Sequence, residues 1–148
     1  MRKIFLGTVL MMVLMGSAQA AETAKPSLVV KTFFDQPSVN AGEKLNVKAS
    51  ILNQGSADVS YSLKECYWSN WVVDNPQVSL DTWKCREMLK TITRTLKPRE
   101  TDAYKLRVFI PDKKESGWVT FRLGFLALGG GQPLWSEPMT VEVKVDRR

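Results

Sequence analysis

An all-β chain, folded as an antiparallel sandwich of about seven strands, is what three observations in the sequence predict. Apolar residues recur with a period of two in short runs, Gly, Pro, Asn and Asp punctuate the intervals between the runs, and no stretch after the N-terminal leader carries a convincing helical period.

The first run is Leu28–Phe34. In the second, Leu45, Val47, Ala49 and Ile51 fall on one face and Asn46, Lys48 and Ser50 on the other, the mark of a half-buried strand. Asn53-Gln54-Gly55-Ser56 supplies turn chemistry before Val59, Tyr61 and Leu63 resume the alternation, so these two runs read as a hairpin. Asp81 to Leu89 forms at most a short helical turn, and Thr91–Leu96 is the next strand. After the turn-like Lys97-Pro98-Arg99-Glu100, Tyr104, Leu106, Val108 and Ile110 alternate with Lys105, Arg107 and Phe109 until Pro111 stops the run. Trp118–Leu128 sets Val119, Phe121, Leu123 and Phe125 on one face, and Trp118 and Trp135, at strand starts, read as rim or core packing. Gly129-Gly130-Gly131 reads as a flexible hairpin tip, because a phosphate loop needs a strand-turn-helix context and a Gly-Lys-Ser/Thr ending. Met139, Val141, Val143 and Val145 close the series. Seven such strands in a span of this length make an immunoglobulin-like antiparallel β-sandwich the first expectation, with a small barrel as the alternative.

Residues 1–20, MRKIFLGTVLMMVLMGSAQA, read as a secretory signal: Arg2 and Lys3, an apolar run from Ile4 to Met15, and the small-x-small ending Ala18-Gln19-Ala20. The apolar run is shorter than the roughly 20 residues that cross a bilayer. Cleavage before Ala21 leaves residues 21–27 as a short leader and 28–148 as one domain, periplasmic or secreted, with no membrane anchor and no cysteine at the new terminus for a lipoprotein. Removing Arg2 and Lys3 from the 21 basic residues leaves 19 against 15 acidic ones. That mild excess is scattered along the strands rather than gathered with aromatics, which argues against nucleic acid and for a solvated surface.

In an oxidising compartment Cys66 and Cys85, the only cysteines, are expected to pair and close a loop, worth about 3 kcal/mol in the chain-entropy account. Zinc is not expected, for the chain has no histidine and no third cysteine. The bracketed stretch CYWSNWVVDNPQVSLDTWKC holds Trp68, Trp71 and Trp83. Their indoles either cap an open end of the sandwich or stand out as a platform for a sugar ring or a partner protein. Trp68 and Trp71, three apart, point to opposite sides of an extended segment and cannot then share a ligand. Asp74-Asn75-Pro76 reads as a turn, and Asp74 with Asp81 offers too few oxygens for calcium. With no histidine, no free thiol once the bridge forms and no Ser-x-x-Lys after the leader, catalysis is not expected, and no cofactor is implied. Carboxylate pairs such as Glu65 with Asp74 or Asp81 are ordinary surface residues on this reading.

The segments EKLNVKASILNQGSADVSYSL, LKPRETDAYKLRV, GWVTFRLGF and WSEPMTVEV resemble bacterial extracytoplasmic immunoglobulin-like domains of the CARDB and BsuPI-like kind, from Leu28 to Val145. In these an Asn-x-Gly turn ends one strand and an L-x-P-x-E turn precedes a later one. The resemblance implies an accessory or binding module, some BsuPI-like members looking like proteinase inhibitors. The Cys66–Cys85 insertion departs from the pattern, so no functional residue is carried across. The expectation is a non-enzymatic exported protein that binds another envelope or secreted protein through Trp68, Trp71, Asp74 and Trp83, as an inhibitor or immunity protein in one version. The alternative is a carbohydrate- or cell-wall-binding module whose tryptophans stack on sugars, and a third reading is a structural subunit that shares a sheet edge.

Overall fold

A computed structural model of the chain describes residues 27–82, 90–111 and 114–145. The secretory leader, Trp83, Cys85 and hence the expected Cys66–Cys85 pairing lie outside those residues. Among the described residues the chain forms twelve strands and one 3-10 turn. The seven expected runs all appear: β1 (Leu28–Phe33), β3 (Lys44–Asn53), β4 (Val59–Lys64), β7 (Thr91–Leu96), β8 (Thr101–Phe109), the pair β9 (Gly117–Phe121) and β10 (Leu123–Phe125), and β12 (Met139–Lys144). The other four are β2 (Ser38–Asn40), β5 (Trp71–Val73), β6 (Ser79–Leu80) and β11 (Leu134–Trp135), each of two or three residues and too short to show a period.

The strands form two layers. One has the order β1-β3-β8-β6. In the other, β2-β12-β9 and β11-β10-β5 are joined because β9 runs on into β10 through Arg122, and β4-β7 joins through the backbone bond from the Leu128 N–H to the Ser62 carbonyl. The first order is the A-B-E-D sheet of an immunoglobulin domain, and the second its C-F-G sheet with β7 added beside C. β6, in the D position, precedes β7 in the chain. The fold is therefore an all-β immunoglobulin-like sandwich.

Alternation builds the core. Leu45, Val47, Ala49 and Ile51 of β3 and Tyr104, Leu106 and Val108 of β8 face Tyr61, Trp71, Phe121, Leu123, Phe125, Val141 and Val143 of the other layer in a single apolar cluster. Each of the Val, Leu, Ile and Phe side chains among them stabilises the fold by about 1.5–3 kcal/mol on leaving water.

One expectation needs correcting. β3 and β4 are not a hairpin, since β3 pairs with β1 and β8 while β4 pairs with β7. The cause is Asn53, which is fully buried. Its amide nitrogen donates to the carbonyls of Ala57 and Leu96, its amide oxygen accepts from the Gly55 N–H, and its backbone N–H and carbonyl bond the Glu100 carbonyl and the Arg99 N–H. The Asn-x-Gly turn is thereby fastened to the Leu96–Glu100 turn, and the chain crosses between layers instead of folding back in one.

A second departure gives the cysteine-bracketed stretch its shape. Phe125 lies opposite Trp71, yet three residues further on Leu128 is bonded to Ser62. The C strand therefore bulges between β4 and β5, taking up the excess as the 3-10 turn Tyr67–Asn70. Asn70, 2% exposed, ties the start of the bulge to the facing strand. Its side chain accepts from the Lys64 N–H at 2.9 Å and donates to the Leu126 carbonyl at 3.0 Å.

Candidate functional site

The 3-10 turn separates the residues singled out in the sequence. Trp71 resumes the strand as a core residue, 4% exposed, with ring centres 5.4 Å from Phe125 and 5.8 Å from Tyr104. Trp68, half-buried, stacks edge-on against Tyr67 at 4.7 Å. The Tyr67 hydroxyl donates to the Lys105 carbonyl at 3.0 Å, satisfying β8 along the stretch where β6 does not reach it. Among the described residues an open groove of about 360 Å³ results, lined by Tyr67, Trp68, Leu80 and Asp81 with Lys105 and Arg107. Lys44 and Arg107 both pair with Asp81, at 2.8 and 3.0 Å. The hydrogen bond from Lys44, then the charge of Arg107, holds the Asp81 carboxyl below its ordinary value.

Asp74 is occupied elsewhere. One carboxylate oxygen accepts from the Arg122 backbone N–H and the other from its Nε, each at 2.7 Å. Burial pushes this carboxyl up, but the Arg122 side chain and backbone outweigh it and bring it below the usual range. Trp68 on the groove, Trp71 in the core and Asp74 on Arg122 thus do not make one site.

The exposed aromatics are others. Phe121, Leu123 and Phe125 point inward, so Trp118, Thr120, Arg122 and Gly124 line the outward face of β9–β10. Trp118 is 67% exposed and has no ring or hydrogen-bond partner among the described residues. Trp135, 36% exposed, pairs with Gly124 across β10–β11 and lies flat on it: a Cβ at that glycine would stand 2.8 Å from the indole and 2.9 Å from Pro133. Gly124 is thus the seat of Trp135, and the Arg122 guanidinium sits 5.3 Å from that ring centre. Between the two indoles, roughly 20 Å apart along the strand at the usual rise per residue, Thr120 is hydroxyl-bonded to Thr140 at 2.8 Å. The charges here are paired within the face: Arg122 with Asp74, Lys144 with Glu142.

The alternation of Val119, Phe121 and Leu123 already placed Trp118 out of phase with the core, the signal that would have found it. Nothing in the sequence showed that Trp135 covers Gly124, which depends on a pairing between residues eleven apart in different strands.

No family model matches the chain, and no curated protein matches it. Among solved structures it is similar to the CARDB domain of the PF1109 protein from Pyrococcus furiosus, described as in complex with di-metal ions, at 15% identity over 82% of this chain and 96% of that one, with a TM-score of 0.45. It is similar also to BslA, a bacterial hydrophobin (12% identity, 82% and 97% covered, TM-score 0.34), and to PapD-like domain 7 of human CEP192 (11%, 98% and 98%, TM-score 0.32). These likenesses are distant, and the immunoglobulin-like assignment stands on the strand order.

Proposed function

We propose that the chain is a non-enzymatic, exported binding module that holds an extended, uncharged glycan against the outer face of β9–β12. One observation carries this reading: a bare indole, Trp118, and a seated one, Trp135, share an outward sheet face whose charges are already paired with one another. Such a face has apolar platforms for sugar rings with threonine hydroxyls between them, and its described charges are paired so that none demands a charged ligand. The resemblance to CARDB and BsuPI-like domains supports the same class of accessory role. The leader is cleaved before Ala21 in this proposal, and Cys66 is bridged to Cys85.

Titration with cell-wall and plant polysaccharide fragments tests it. A true ligand quenches or shifts tryptophan emission, and Trp118→Ala abolishes binding while the melting temperature stays put. Retention of binding by that variant removes the face from the proposal, and silence across a broad panel removes the sugar.

A second reading rests on a different observation. The groove beside Tyr67 and Trp68 combines aromatic walls with Asp81, Lys105 and Arg107 at its rim, the composition of a small protein-recognition site, and suits an inhibitor or immunity protein that presents the bulge to an envelope partner. Here Trp68→Ala, and not Trp118→Ala, releases a stoichiometric partner in a pull-down.

A further inference from the structure

The basic residues scattered along the sequence come together in space. On the outer face of the four-stranded layer Phe33 lies opposite Lys48, and Lys48 lies opposite Lys105, in one row across β1, β3 and β8. Lys31, two residues before Phe33, points to the same side. All three lysines are exposed, and none has an acidic partner among the described residues. Like charges directly opposite each other on a sheet are destabilising, and a charged face built for solubility alone intersperses the two signs. Nearby, Lys44 and Arg107 share the single carboxylate of Asp81, and among the described residues Asp35 is the one acid lining the depression, of about 700 Å³, that Phe33, Lys48 and Lys105 border. The face keeps a net positive charge. At its corner, on the edge strand, stands Phe33, 59% exposed.

We infer that this face docks onto an anionic phospholipid surface, with Phe33 entering the headgroup region and Lys31, Lys48 and Lys105 against the lipid charge. The choice of occupant follows from the side chains. Lysine is a point charge without the planar fork that reads individual phosphates or carboxylates, so three of them spread over one sheet face suit a diffuse anionic surface better than a discrete ligand. Phenylalanine has no polar handle with which to read a sugar or a peptide, and its ring gains from burial at the acyl boundary. This face is opposite the Trp118 face across the sandwich, so the inference stands whether or not that face binds glycan.

The test is sedimentation of the full chain with vesicles of phosphatidylcholine alone and of phosphatidylcholine with phosphatidylglycerol. The quantity read is the excess partition onto the anionic vesicles, which sets apart any neutral background. We expect a clear excess for the wild type that fades as salt rises. Lys48→Glu reverses one charge in the row and sets a carboxylate opposite Lys105; it should lower the excess about thirtyfold, taking each unit of charge at its usual worth beside an anionic membrane, while the protein melts at the same temperature or higher. Phe33→Ser should weaken binding and leave the salt dependence. Lys97→Gln with Lys114→Gln, away from the row, removes the same formal charge and should stay within twofold of the wild type. No excess for the wild type, an equal loss in the Lys97/Lys114 variant, or binding to heparin without binding to vesicles would each overturn the inference.

Discussion

Trp71→Ala separates packing from recognition within the bulge. The wild-type ring is buried between Phe125 and Tyr104, and its indole N–H has no hydrogen-bond partner among the described residues. Truncation therefore removes packing and nothing else. Large-to-small changes of this kind cost about 3–5 kcal/mol, a large part of the roughly 5–15 kcal/mol that holds a domain folded. For a domain of this size each kcal/mol moves the midpoint by about 4 °C, so the variant should melt about 12–20 °C below the wild type. Trp71→Phe, which keeps an aromatic ring in the same gap, should lose about 1–2 kcal/mol. Trp118→Ala should stay within about 0.5 kcal/mol of the wild type. Far-UV circular dichroism is the assay of choice, because it does not depend on the tryptophan being removed. A Trp71→Ala protein melting within a few degrees of the parent would refute the placement of this side chain in the core, and with it the assignment of β4–β5 as the C strand.

Other outcomes follow from the same geometry. Asn53→Ala leaves the Leu96 and Ala57 carbonyls without their donor and should cost about 2–4 kcal/mol, read from urea unfolding; Asn70→Ala should lose a similar amount, since the Lys64 N–H and the Leu126 carbonyl are orphaned together. In acid, Asp74 and Asp81, both held below the ordinary 3.8, contribute stability that is present above that value and disappears as pH falls through their folded values. Asp74→Asn should flatten the acid limb of an unfolding-versus-pH curve, and an unchanged limb would count against the Arg122 fork. At the alkaline end burial pushes Tyr104 up to about 12 and lifts Tyr61 as well, the two hydroxyls and Asp102 lying within 2.8–3.1 Å of one another. Neutral tyrosine is thereby favoured in the folded state, so stability should hold below pH 10 and decline between 10 and about 12, less steeply in Tyr104→Phe. The proposed Cys66–Cys85 bridge predicts an intact mass lower by two hydrogens, no alkylation without reductant, and a loss of about 3 kcal/mol in Cys66→Ser; alkylation of the untreated native protein at both thiols removes it.

What the sequence determined by itself is the set of strands and the side of each that faces inward. Period two is a local property, so Leu45 to Ile51 and Val119 to Phe125 declared their buried faces, and Lys48 its outward one, without reference to any partner, whereas Trp118, read as rim or core packing, stands 67% exposed. Turn residues were legible for the same reason, although the role of Asn53 was not: it bonds Leu96 and Glu100, more than forty residues away, and sends β4 into the other layer. The bulge was equally hidden, because the mismatch between Trp71 and Ser62 exists only relative to β10. The tertiary structure alone decided which outward residues are neighbours. Register across β1, β3 and β8 sets Phe33, Lys48 and Lys105 in a row, and pairing of β10 with β11 lays Trp135 on Gly124. Both candidate surfaces are products of long-range hydrogen bonding, whose partners a linear pattern does not specify.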